Sequence, residues 1–91
     1  MEKKMMTVRK PSESEINETR TWGNWSKENS TFDWEYDESE TCFILEGKAK
    51  VSDANGNSVE FQAGDLVRFE QGLKCTWHII SPIKKKYRFG D

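Results

Sequence analysis

Beyond residue 20, apolar and polar positions alternate over short runs, and turn-forming residues separate these runs at close intervals. A period of two is typical of β-strands with one buried face, whereas no stretch here keeps the 3.6-residue period of a helix. The pattern predicts an all-β barrel or sandwich. We place its strands near residues 5–9, 22–27, 31–36, 40–51, 58–62, 66–69, 74–80 and 84–89.

Local signals between these runs indicate one short helix and several tight turns. Ser12, with Glu15 three residues later, has the spacing of a capping box and predicts one or two helical turns. The dipeptide Asn55-Gly56 is the strongest short hairpin signal and is expected to join the fourth and fifth strands. Further turns are predicted at Gly64-Asp65 and Gln71-Gly72.

The composition fits a single folded domain with a well-hydrated surface. The chain has 91 residues, of which 34% are hydrophobic and 33% charged, and its mean hydropathy is -0.90. Aromatic residues make up 12% of the chain and fall in patterned segments, which argues against disorder. We predict one domain, with an N-terminal arm over residues 1–21 and a β-barrel over residues 22–89.

Charge and hydropathy exclude several classes of partner. The net charge is only -2, so we expect no nucleic-acid binding. No apolar run has the length of a membrane span, and the first residues lack the apolar core of a signal peptide, so we expect no membrane association and a cytoplasmic protein. The basic residues gather near the two chain ends and are interpreted as solvated, in preference to a phosphate-binding face that they could form if the ends meet. Those near the C-terminus are Lys84, Lys85, Lys86 and Arg88.

The two cysteines give no sign of a zinc site. Cys42 and Cys75 belong to no CxxC motif and have no paired histidine. In a reducing compartment they are expected to be thiols, although the sequence leaves a disulfide open.

The strand that begins at residue 40 is apolar on both faces. Alternation places Glu40, Cys42 and Ile44 on one face and Phe43 and Leu45 on the other. A strand covered on both sides needs a cover beyond its own barrel, either the N-terminal arm or a second copy of the chain. We favour a homodimer.

Two motifs carry a family resemblance. The runs "ETCFILEGKAKV" and "GNSVEFQAGDLVRFEQGLKCTW" resemble the two signature motifs of the RmlC-like cupin superfamily. Within it, the chain is similar to the small single-domain cupins related to the (S)-ureidoglycine aminohydrolase cupin domain. The resemblance covers residues 22–87 and implies a double-stranded β-helix, or jelly-roll barrel.

The resemblance also locates the positions where metal-binding cupins carry their ligands. The position of the acidic ligand falls on Glu40, those of two histidines fall on Trp34 and Tyr36, and that of the last histidine falls on Cys75. Indole does not ligate metals and phenol coordinates well only as phenolate, so the set lacks the three or four ligands that a divalent ion needs. We expect no metal and no cofactor.

The same positions predict a pocket inside the barrel. Trp34, Tyr36 and Trp77 are expected to form apolar walls, with Glu40 and Cys75 as polar groups. A carboxylate facing a barrel interior is costly unless it is paired or lies at the mouth, which favours a site over a simple aromatic core.

Three functions remain open at this point. The first is a metal-independent barrel that binds an unidentified small molecule. The second is an enzyme similar to ureidoglycine aminohydrolase that acts on carbon-nitrogen bonds, with Glu40 and Cys75 as the candidate catalytic residues. The third is a scaffold or interaction protein that docks through the outer face of Phe43 and Leu45.

Overall fold

Seven β-strands and one short helix make up the computed structural model, which describes residues 5–90. The first four residues of the predicted arm lie outside this range. All-β architecture is confirmed, and the order of elements is β1 (Met6–Arg9), α1 (Glu13–Glu18), a 3-10 turn (Thr19–Thr21), β2 (Gly23–Lys27), β3 (Ser30–Glu35), β4 (Glu40–Asp53), β5 (Ser58–Gln62), β6 (Leu66–Phe69) and β7 (Lys74–Phe89).

The two longest strands, β4 and β7, pair antiparallel at the centre of the molecule and belong to both halves of the barrel. The early part of β4 pairs with β6 and the late part of β7 pairs with β2, which gives the order β1-β6-β4-β7-β2. Strand β5 pairs with the late part of β4, and β3 pairs with the early part of β7. This arrangement is the jelly-roll architecture that the motifs implied.

A set of irregularities bends the two central strands together. Their register shifts between Ile44 and Ala49, as β-bulges do. Gly47 lies at this bend with φ of 92°, and a Cβ on it would lie 2.2 Å from the carbonyl oxygen of Pro82. Only glycine fits this position, because both the backbone conformation and the close approach exclude a side chain.

The predicted strands agree with the structure except near Pro82. The sequence indicated two strands, at residues 74–80 and 84–89, but β7 is continuous from Lys74 to Phe89. Pro82 lies where the register between β4 and β7 shifts, so the strand continues although proline has no N–H to donate.

The capping box and the hairpin are both confirmed. The Ser12 hydroxyl accepts a hydrogen bond from the Glu15 N–H at 3.3 Å, and the Glu15 carboxylate accepts one from the Ser12 N–H at 2.9 Å. At the β4–β5 turn, the Asp53 carboxylate accepts hydrogen bonds from the backbone of Asn55 and Asn57, both at 2.9 Å.

One apolar cluster fills most of the barrel interior, and most of its strand residues follow alternation. In β7 the buried positions fall on every second residue, and in β4 they change parity across the bulge. The cluster includes Met6, Tyr36, Cys42, Ile44, Ala49, Val51, Phe61, Val67, Phe69, Leu73, Cys75, Trp77, Ile79 and Ile83. Among the described residues, no helix is long and apolar enough to span a bilayer.

Candidate functional site

A cavity of about 240 Å³ opens at one end of the barrel. Strands β2, β3 and β7 and the start of β4 provide its walls. Its lining consists of seven aromatic side chains and two charged ones, and these are Trp25, Phe32, Trp34, Tyr36, Glu40, Trp77, Lys85, Tyr87 and Phe89.

Three side chains, Tyr36, Glu40 and Lys85, form a hydrogen-bonded polar cluster in this cavity. The Tyr36 hydroxyl donates to Oε1 of Glu40 at 3.1 Å and accepts from the indole Nε1 of Trp77 at 3.2 Å. Lys85 Nζ donates to Oε1 and Oε2 of Glu40 at 3.3 and 3.1 Å. Among the described residues, every buried side-chain nitrogen and oxygen has a hydrogen-bond partner.

Strand register places the members of the polar cluster. Glu40 is the first residue of β4 and lies between β6 and β7. Lys85 lies opposite Trp25 of β2, and its Nζ is 4.8 Å from the ring centroid of Trp25 and also 4.8 Å from that of Trp77. Tyr36 follows β3, where its N–H donates to the carbonyl of Leu73 at 2.9 Å. Neighbouring strands therefore hold each member of the cluster.

Burial changes the acid–base properties of the groups around Glu40. Desolvation, with the nearby Glu40 carboxylate as a second cause, raises the pKa of Tyr36 well above its usual value. Desolvation also raises the pKa of Cys42, although Lys85, with Nζ 3.6 Å from its sulfur, opposes that shift. Both groups therefore stay protonated at neutral pH.

Aromatic rings form the remaining walls of the cavity. Phe32 stacks on Trp77 with ring centroids 6.0 Å apart and an interplanar angle of 10°. Trp25 meets Trp77 edge-on at 6.1 Å, and Trp34 meets Tyr36 edge-on at 6.4 Å. Such offset and edge contacts fix the ring planes, so the walls present a preformed apolar surface.

The structure brings four of the five predicted pocket residues together. Tyr36, Glu40 and Trp77 are buried in the cavity wall, and Trp34, which is 49% exposed, lies at the mouth. Cys75 is not part of the lining. It lies in a neighbouring depression with Asp33, where its thiol donates to the carbonyl of Trp34 at 3.5 Å.

The Cys75 thiol also lacks the properties of an activated nucleophile. Desolvation, with Asp33 as the next cause, raises its pKa to about 11. Reactive cysteines have lowered pKa values, because the thiolate is the attacking species. Cys42 and Cys75 are both free thiols in the structure.

Sequence reasoning missed five of the lining residues, and Lys85 is the charged one among them; the others are Trp25, Phe32, Tyr87 and Phe89. The position of Lys85 in the basic run led to its interpretation as solvated, and this is wrong, because Lys85 is only 5% exposed. The signal was the alternation of Ile83, Lys85 and Tyr87, which places Lys85 on the same face as two apolar residues. For Lys84 the interpretation as a solvated residue agrees with the structure, in which Lys84 is exposed.

The donor set does not fit a divalent metal. Of the four positions that carry ligands in metal-binding cupins, Trp34 and Tyr36 are aromatic, Glu40 is paired with Lys85, and Cys75 lies outside the cavity. Among residues 5–90, no group of three or more His, Cys, Asp or Glu side chains comes together that could hold an ion. A single paired carboxylate falls short of the usual coordination number.

Fold and cavity together define a class: a small single-domain cupin whose barrel encloses an aromatic cavity with a buried ion pair. Residues 15–87 match the model of the EutQ-like cupin domain. The chain belongs to this family. Among curated proteins, none matches the chain significantly.

Solved structures agree with this assignment. The chain is 41% identical to a DUF861 family protein from Thermotoga maritima, with a TM-score of 0.89 over 92% of this chain and 98% of that one. The EutQ protein of Clostridium difficile matches with 20% identity and a TM-score of 0.69, over 75% of this chain and 53% of that one. A putative ethanolamine utilization protein Q from Salmonella typhimurium matches with 18% identity and a TM-score of 0.68, over 96% of this chain and 58% of that one. The two EutQ likenesses concern the fold alone.

Proposed function

We propose that this protein is a metal-independent barrel that binds a small molecule in the aromatic cavity. One observation carries the proposal: a preformed cavity combines aromatic walls with a buried cluster of Tyr36, Glu40 and Lys85. Apolar walls with a few converging polar groups are the usual composition of small-molecule sites. A volume of about 240 Å³ lies below the ~300–1,000 Å³ of drug-sized sites, so the ligand is a compact metabolite.

Burial of the ion pair supports a site over a simple aromatic core. The side chains of Lys85 and Glu40 are 6% and 5% exposed, yet apolar residues of similar volume are often as stable in such positions. Because this buried ion pair contributes little net stability, a role in ligand recognition explains it more readily than a role in folding.

The proposal is tested by an NMR screen of compact metabolites against the ¹⁵N-labelled protein. We expect a binding compound to shift the indole N–H signals of Trp34 and Trp77, which line the cavity, while Trp22, which packs against Arg88 elsewhere, stays unchanged. Binding should persist in excess chelator. A broad library that shifts none of the cavity indoles would contradict the proposal.

Substitutions at two tryptophans provide a matched control. Trp34→Ala removes an exposed wall of the mouth and should weaken binding about fivefold, because loss of one stacking surface is worth on the order of 1 kcal/mol. Trp22→Ala, outside the cavity, should leave the affinity unchanged. Equal losses in both variants would place the ligand elsewhere.

The cavity contacts do not favour the alternative of a carbon–nitrogen-bond enzyme over binding alone. Glu40 is held by Lys85 and Tyr36, and Cys75 lies outside the cavity. None of the relatives described above is named as a ureidoglycine aminohydrolase.

The scaffold alternative and the homodimer remain predictions for the outer face of β4. There, Phe43 is half-buried and Leu45 is 43% exposed. Sedimentation of the wild type and of Leu45→Lys tests self-association. A homodimer that uses this face should dissociate in the variant. A strict monomer in both the wild type and the variant would contradict the homodimer prediction.

A further inference from the structure

The charges in the cavity lining cancel. Of its nine residues, Glu40 and Lys85 are the two that carry charge, and they form an ion pair with Nζ 3.1 Å from Oε2. An ionic ligand entering this cavity loses its hydration and meets no uncompensated opposite charge, which is costly in an apolar environment. The balance of charge therefore favours a neutral ligand.

Two of the aromatic rings that could attract a cation, those of Trp25 and Trp77, already have one beside them. Lys85 Nζ lies 4.8 Å from the ring centroids of both Trp25 and Trp77. Cation–π attraction depends on a free ring face near the positive charge. A cationic ligand at this position would compete with Lys85 and be repelled by it.

The ion pair retains hydrogen-bonding capacity of both kinds. One N–H of Lys85 is directed to the sulfur of Cys42 at 3.6 Å, a weak acceptor. A carboxylate has about four lone-pair sites, and Oε2 of Glu40 accepts from Lys85, whereas Oε1 accepts from both Lys85 and Tyr36. A ligand with an N–H beside a C=O matches this arrangement, because the N–H can donate to Glu40 while the C=O accepts from Lys85.

From these contacts we infer that the cavity selects a neutral ligand that carries an amide-like N–H next to a carbonyl, and that Glu40 and Lys85 jointly set this charge preference. The inference rests on the proposed binding function and names its ligand class.

Three probes of nearly equal shape test the inference: benzamide is neutral, benzoate is an anion and benzamidine is a cation. Each is titrated into the ¹⁵N-labelled wild type, and affinity is read from the indole signals of Trp34 and Trp77, with Trp22 as the internal control. We expect benzamide to bind at least about tenfold more tightly than either ion, because burial of an unpaired charge carries a penalty above ~1.4 kcal/mol.

Two single variants should change the preference in opposite directions. Glu40→Gln leaves the charge of Lys85 unbalanced, so benzoate should become the tightest of the three probes. Lys85→Met leaves Glu40 unbalanced and frees the faces of Trp25 and Trp77, so benzamidine should become the tightest. In the double variant the cavity lining carries no net charge again, so benzamide should again be the tightest of the three probes. A variant with a purely structural defect would lose all three probes equally.

Several results would overturn the inference. It fails if the wild type prefers either ion, or if the order of the probes is the same in all four proteins. If the single variants do not fold, the wild-type order and the double variant decide. If no probe binds while the metabolite screen finds a ligand, the inference fails and the binding function stands. If the screen also finds none, both fail.

Discussion

Lys84 and Lys85 are neighbours in β7, and each pairs with a glutamate of β4, yet the two pairs lie in different environments. Lys84 Nζ is 3.4 Å from Glu46, and their side chains are 62% and 64% exposed. Lys85 Nζ is 3.1 Å from Glu40, and their side chains are 6% and 5% exposed. Strand alternation separates the two lysines, since successive side chains point to opposite faces. The two glutamates are separated by the bulge in β4, across which the buried positions change parity.

The comparison shows how burial changes what an ion pair does. The outer pair stays hydrated, is screened by salt and adds little stability. In the inner pair each charge depends on the other, because water cannot replace a lost partner. The inner pair therefore constrains the residues at both of its positions, whereas the outer pair does not.

The largest expected effect is that of Lys85→Met, which leaves the Glu40 carboxylate buried without its cation. We expect a loss of about 3–5 kcal/mol in the free energy of unfolding, measured by urea denaturation. The double variant with Glu40→Gln should be more stable than Lys85→Met alone, because it removes the unpaired charge. If Lys85→Met costs no more than Lys84→Met, the two pairs do not differ as described.

Tyr36→Phe is expected to have the next largest effect. It deletes the hydroxyl that joins Glu40 to Trp77, so the buried indole N–H of Trp77 loses its acceptor. Leaving such a group unpaired costs about 1–3 kcal/mol, again by urea denaturation. Tyr87→Phe is the control, since Tyr87 is only partly buried. Equal losses would mean that the network adds nothing.

Alkaline pH should distinguish the barrel interior from its surface. The pKa of Cys75 is raised from 9.0 to about 11, so between these values the unfolded chain has lost the thiol proton and the folded chain has kept it. The folded state then binds more protons, and stability falls as pH rises through this window. Cys75→Ala should make the fall shallower by about one proton, as measured by urea denaturation at several pH values. An unchanged slope would contradict the burial of this thiol.

The smallest effect is expected for Lys84→Met at the outer pair. Because both side chains are largely exposed, the loss should stay within about 0.5 kcal/mol and should shrink further at high salt. A salt-independent loss comparable to that of Lys85→Met would show that the outer pair is not hydrated in solution.

Much of the fold was readable from local signals. The capping box of Ser12 and Glu15 and the hairpin at Asn55-Gly56 are formed by residues close in sequence, and both are present as predicted. The interruption expected near Pro82 is absent, because the opposite strand has a bulge at that point. The residue that approaches Pro82 in that bend is Gly47, which lies thirty-five positions earlier in the chain. Local sequence signals therefore could not reveal the contact.

The site was predictable only in part, for a related reason. The cupin resemblance located Trp34, Tyr36 and Glu40, and alternation placed Trp77 on the interior face. Position within a motif did not show that Cys75 would lie in a neighbouring depression instead of the cavity. Nor did it show which base neutralises Glu40, since the chain has fourteen Lys and Arg residues in all.

The sequence by itself determined the strands, the turns and the family motifs, because these depend on alternation and on residues a few positions apart. Only the tertiary structure decided that Glu40 and Lys85, separated by 45 positions, share one cavity. The physical reason is that register between distant strands is set by the packing of the whole barrel. The charge balance of the cavity follows from that register.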